Sequence, residues 1–149
     1  MRRILLAVAV VALITAAAAS ADAVYHSQHI SLTPVAAGEA GTGFVENIHA
    51  DGPNIYAHEQ YSLKSGLPST TYNVVIHLSA AADTTCSAPF LALPTASLTT
   101  NVAGNGSAYH VFTPTDAGPL RGAAWRAYWT LETPAGVAYT TSCQVIVLD

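Results

Sequence analysis

The chain has 149 residues, of which 51% are hydrophobic and only 9% charged, with a formal net charge of −4 at neutral pH. That length holds one ordinary domain able to bury its own core. The acidic balance excludes nucleic acid as a partner, because such a surface repels a phosphate backbone.

The first element in chain order is an export signal. Arg2 and Arg3 form a basic start, residues 4–14 are an unbroken apolar run, and Ala19-Ser20-Ala21 and Ala21-Asp22-Ala23 offer small-x-small cleavage motifs. These are the three parts of a secretory signal peptide, read here as residues 1–21 with cleavage after Ala21 or Ala23. A retained membrane anchor is the competing reading, but the second half of the segment is alanine, which is only weakly apolar. Once the signal is removed, Lys64, Arg121 and Arg126 stand against nine acidic residues, a net charge of −6. The expectation is a domain over 22–149, secreted to the extracellular or cell-envelope space, monomeric, and free of the membrane after cleavage.

The rest of the chain lacks any long segment of helical period. Short runs rich in Val, Ile, Thr, Tyr and Trp are cut by Gly, Pro and Asn, which is the pattern of strands. Strands are expected over 25–33, 43–50 and 55–64, the last two forming a hairpin that turns at Asp51-Gly52-Pro53-Asn54. Residues 71–79 alternate cleanly, with Tyr72, Val74, Ile76 and Leu78 on one face and Asn73, Val75 and His77 on the other. A loop carrying Cys86 follows over 80–94. A short strand over 96–100 then pairs, across the Gly104-Asn105-Gly106 turn, with a strand over 107–113. Residues 115–122 form a crossover. The strand over 124–132 puts Trp125, Ala127, Trp129 and Leu131 on one face, which reads as core, and Arg126, Tyr128 and Thr130 on the other. After Pro134-Ala135-Gly136, residues 137–148 close the fold.

Cys86 and Cys143 are the only two cysteines. In an oxidising compartment such a pair is most simply a disulfide, worth roughly 4 kcal/mol in the chain-entropy account. About seven or eight short strands at regular spacing predict an all-β fold. The expected form is a single antiparallel β-sandwich of Greek-key or immunoglobulin-like type with one disulfide, a barrel being the alternative.

Part of this order resembles known proteins. Gly66-Leu67-Pro68, the alternating strand 72–78, Cys86, Leu98-Thr99-Thr100-Asn101 and Gly104-Asn105-Gly106-Ser107-Ala108 resemble small secreted bacterial β-sandwich proteins of uncharacterised function. They resemble more distantly the chordin-like and copper/zinc superoxide dismutase-like sandwiches. The shared residues are those of strands and turns, which specify folding and not chemistry. The dismutase copper site uses a His-x-His pair on one strand. Here the matching strand reads Val75-Ile76-His77, so the resemblance implies no metal site.

Candidate chemistry concentrates on the 44–64 hairpin. If Ala50 pairs with Ile55, then His49 and His58 lie diagonally on one face and are candidate metal ligands. Two histidines without a third ligand make a poor metal site, and a solvated polar face explains them as well, so no cofactor is assigned. His26 and His29, three apart on a strand, fall on opposite faces. The same register sets Glu46 opposite Glu59, on the face of Phe44, Ile48, Tyr61 and Leu63, where two carboxylates would raise one pKa and could serve acid/base work. A one-residue slip would separate them entirely. There is no Gly-x-Ser-x-Gly elbow, no phosphate-cradling glycine loop and no free thiol, so no catalytic residue is assigned. Asn105-Gly106-Ser107 is a glycosylation sequon that a hairpin turn explains more simply. The first expectation is a binding or structural module whose partner is an extracellular protein or a glycan. The alternatives are a metal-dependent or acid/base enzyme built on the hairpin, and a carbohydrate-binding domain using exposed aromatics such as Tyr128.

Overall fold

The computed structural model describes residues 26–49 and 57–147. The signal segment, both cleavage positions and the 51–54 turn lie outside them. The described chain is all-β and antiparallel. Its nine strands are β1 (His26–Pro34), β2 (Thr42–His49), β3 (Ala57–Lys64), β4 (Thr71–Ser79), β5 (Leu91–Thr99), β6 (Gly106–Phe112), β7 (Ala124–Thr133), β8 (Gly136–Thr140) and β9 (Gln144–Val147). A four-residue helix, α1 (Pro114–Ala117), and a 3-10 turn at Gly118–Leu120 make the crossover from β6 to β7.

The strand order is β5-β4-β7-β8-β1-β2-β3-β6, with β9 also on β7. β1 belongs to both halves: His26–Leu32 pair with β2, and Thr33 and Pro34 pair with β8. One wall is therefore β1-β2-β3-β6 and the other is β5-β4-β7 with β8 and β9. The walls join through β1, and at the far side β5 meets β6 through the 100–105 turn, so the sandwich is nearly closed. Between the walls lie the fully buried Trp129, Tyr61, Tyr72, Tyr139, Leu98 and Leu131. At about 25 cal/mol for each Å² of apolar surface removed from water, such large side chains dominate what folding gains.

Several expectations hold. Residues 71–79 form β4, and Tyr72, Val74, Ile76 and Leu78 are all buried. Trp129, Ala127 and Leu131 are core, while Trp125 is half-buried and donates from Nε1 to Leu120 O at 2.8 Å. Cys86 and Cys143 are bridged across 57 positions. Among the described residues there are no free cysteines.

Others are corrected. β6 does not ladder with β5; it pairs with β3 from Ala57↔Phe112 to Leu63↔Gly106, and only the turn is tied, by Asn101 N to Asn105 O at 2.9 Å. Gly104 makes that turn possible. Its φ is +75°, and a Cβ there would stand 2.1 Å from Gly66 O. β5 begins at Leu91, inside the expected loop, because Pro94 sits at a bulge where the register jumps from Val74↔Ala96 to Val75↔Pro94. The closing segment is two strands instead of one. β8 pairs with the end of β7 and β9 with its beginning, and the intervening Thr141–Cys143 bulge brings Cys143 to the Cys86 loop.

Candidate functional site

The hairpin register decides the chemistry. β2 and β3 pair as Val45↔Tyr61, Glu46↔Gln60, Asn47↔Glu59 and Ile48↔His58. This is one position away from the register that sets Glu46 against Glu59, and the slip turns the two carboxylates to opposite faces. The proposed carboxylate pair therefore does not form. The reason lies in Gly43, which occupies the inner face where Leu32 and Leu63 close over it: a Cβ there would sit 2.3 Å from Ser62 O and 3.1 Å from Leu32 Cδ1. The inner positions of β2 are thus 43, 45 and 47, and Phe44 faces outward against the His29 ring, centroids 4.4 Å apart.

Glu46 lies on the outer face. It accepts hydrogen bonds from Ser27 and, at 2.9 Å, from His29 Nδ1, and these hold its carboxyl below the ordinary carboxylate range. His58 is also outside, edge-on to Tyr109 with centroids 6.1 Å apart. The side chain of His49 lies outside the described residues. Among those described, no group of three His, Cys, Asp or Glu side chains is placed to hold a metal.

Glu59 is inside, 1% exposed. Its Oε2 accepts from the Tyr61 hydroxyl and, at 2.9 Å, from Trp129 Nε1 across the interior. Tyr61 Oη also lies 2.7 Å from Oγ1 of Thr95, the residue re-aimed by the β5 bulge. Burial penalises the charged form and pushes the Glu59 carboxyl up to about 7, against the two hydrogen bonds, which pull it down. The same burial pushes the Tyr61 phenol upward, with Glu59 adding to it.

Glu59 is one of four polar residues in a line. Gln28↔Asn47, Asn47↔Glu59 and Glu59↔His110 are direct register partners on β1, β2, β3 and β6. Each sits at an inner position, in phase with Ile30, Val45, Tyr61 and Phe112. Gln28 Nε2 donates to Val145 O at 3.0 Å. Gln28 Oε1, both amide atoms of Asn47 and His110 Nε2 are buried without a partner among the described residues. Such groups cost roughly 1–3 kcal/mol apiece when left unmade. Beside Glu59 is a cavity of about 10 Å³ whose wall is apolar, from Ile76, Leu78 and Leu93 to Phe112 and Ile146, except for Asp116 on α1.

The sequence reading missed this row, although its signal is in the chain. On each of the four strands a polar residue stands where the period-2 pattern calls for an apolar one: Gln28 before Ile30, Asn47 after Val45, Glu59 between Ala57 and Tyr61, and His110 before Phe112.

The outer face of the same wall carries an open site with an exposed aromatic over it. Tyr109 is 71% exposed, and with His58, Gln60, Ser107 and Ala108 it lines a shallow groove of about 520 Å³. Tyr128, the outward aromatic expected on β7, is instead stacked flat on His77, centroids 4.4 Å apart and planes 7° apart. Searches against protein families, curated proteins and solved structures return no match to this chain.

Proposed function

We propose that the protein is an exported binding module that takes a glycan on the outer face of β1-β2-β3-β6. The observation that carries this reading is Tyr109. A tyrosine ring 71% exposed on a flat strand face is a stacking platform that the fold itself does not require. The Gln60 amide and the Ser107 and His58 side chains around it are the hydrogen-bonding groups a sugar needs beside an aromatic. The groove volume falls within the roughly 300–1,000 Å³ of small-molecule sites. Export is supported by the basic and apolar start of the sequence and by the Cys86–Cys143 disulfide, which belongs to oxidising compartments. No helix of the described residues is long and apolar enough to cross a membrane. The enzyme alternative loses its carboxylate pair, since Glu46 and Glu59 face opposite ways.

The test is titration calorimetry with a panel of hexose and N-acetylhexosamine oligosaccharides. At least one should bind, and Tyr109→Ala should weaken it about tenfold, the order expected for losing an aromatic contact of about 1.4 kcal/mol. If no glycan binds, or if Tyr109→Ala binds as well as the parent, the reading is wrong.

A further inference from the structure

Resting on the glycan reading above, we infer that the groove under Tyr109 runs on along the outer face to Lys64, and that the sugar chain it takes is acidic, with a carboxylate or sulfate ester set against the Lys64 ammonium. The continuity of the groove comes from shared walls. The groove beside Tyr109 shares Ser107 with a second one of about 350 Å³. That second groove shares Ser62 and Lys64 with a third, of about 190 Å³, beside Phe44. Ser62 and Ser107 are register partners on β3 and β6, so the step between the grooves crosses adjacent strands. Tyr109 stands opposite Gln60, and Lys64 ends the same strand four positions on. At a rise of roughly 3.4 Å per residue this is about 14 Å, a track for a chain of sugar rings and not for one ring alone.

The charge along this track selects the class of sugar. The chain has nine acidic residues against five Lys and Arg, yet no residue lining the three grooves is acidic. Lys64 is the only lysine of the chain. It is exposed, and among the described residues it enters no salt bridge. The outward carboxylate of these strands, Glu46, is held on the β1 side by Ser27 and His29. It stands opposite Gln60, at the Tyr109 end, whereas Thr42 stands opposite Lys64. The two ends of the track therefore differ in charge, and an anionic group is favoured at the Lys64 end. Neutral donors are gathered there too. Asn105 lines the same stretch, and its Oδ1 accepts from Ser65 N at 3.1 Å, which fixes the amide and leaves its N–H groups to donate. The Ser62 and Ser107 hydroxyls beside it each supply a further donor.

The experiment is titration calorimetry of the full domain with two matched pairs of sugars. One pair is an oligogalacturonate and its fully methyl-esterified form, which keeps the chain and removes the charge. The other is a sulfated galactose oligomer and its desulfated form. An acidic member should bind about fivefold more tightly than its neutral twin, the upper end for an exposed ion pair. The pair that shows this decides between carboxylate and sulfate. The preference should shrink as salt rises from about 0.01 M to about 0.15 M, over which the screening length falls from about 30 Å to about 8 Å. Lys64→Gln should erase the preference and leave neutral binding unchanged, and Lys64→Arg should keep it. Both variants should melt with the parent, because the side chain is exposed. Tyr109→Ala should weaken the acidic and neutral forms alike. Equal affinity of each acid and its neutral twin, or a preference that survives in Lys64→Gln, would overturn the acidic assignment; if Tyr109→Ala still weakened the neutral sugars, the stacking reading would stand without it. Binding of no sugar of either kind would overturn both.

Discussion

The carboxyl of Glu59 feels two opposed effects. Burial pushes its titration up, and the hydrogen bonds from Tyr61 and Trp129 pull it down, with a net value of about 7. An unfolded Glu titrates near about 4.3. The folded pKa is the higher, so the folded state binds the proton more tightly. The stabilisation is complete below about pH 4.3 and is lost as pH rises to about 7. The difference amounts to about 3 kcal/mol on passing from acid to neutral. Chemical denaturation between about pH 4 and pH 8 should show this loss, and Glu59→Gln should flatten it; parallel profiles for the two proteins would show that Glu59 is not desolvated. A neighbouring carboxylate is not the cause, because Glu46 is on the other face. Trp129→Phe provides a second check. With the indole donor removed, desolvation is less opposed, and the midpoint of the pH dependence should move up.

At the level of strands, the disulfide and the two bulges set the geometry. The Thr141–Cys143 bulge turns Cys143 toward the 80–90 loop, where Asp83 accepts from Thr85, Ser87 and Ala88 and its O accepts from Cys86 N at 3.2 Å. The Asp83 carboxyl is held down to about 2, chiefly by the Ala88 amide. Replacing both cysteines by alanine should cost roughly 2–5 kcal/mol, read from the denaturation midpoint. Two thiols that label with a maleimide in the untreated native protein would contradict the bridge. Alternation made β4 and the buried face of β7 legible, because every inward position there is apolar. The register of β2 on β3 was not legible. Its inner positions hold Gly43 and Asn47, its outer ones Phe44 and Ile48, so hydrophobicity pointed to the wrong face. Pro94 hid the start of β5 because a bulge tolerates a proline that a regular ladder would refuse. The row Gln28–Asn47–Glu59–His110 required the pairing of four strands before it became a row at all, and pairing between distant strands is what local pattern does not encode.

For the whole molecule, the reading proposed above is an exported, disulfide-pinned sandwich that takes its ligand on one outer wall. The mature N-terminus should be Asp22 or Val24, measured as intact mass on protein recovered from outside the expressing cells; a species still carrying residues 1–19 would contradict it. The proposed ligand site is the outer face of β1-β2-β3-β6. Amide chemical-shift mapping of the labelled domain, titrated with the tightest oligosaccharide from the panel, tests it most directly. Perturbed amides should cluster at His58–Gln60 and Ser107–Val111, around Tyr109. Perturbations gathered on the β4-β7 wall or in the 80–90 loop, with Tyr109 and its neighbours unmoved, would contradict it.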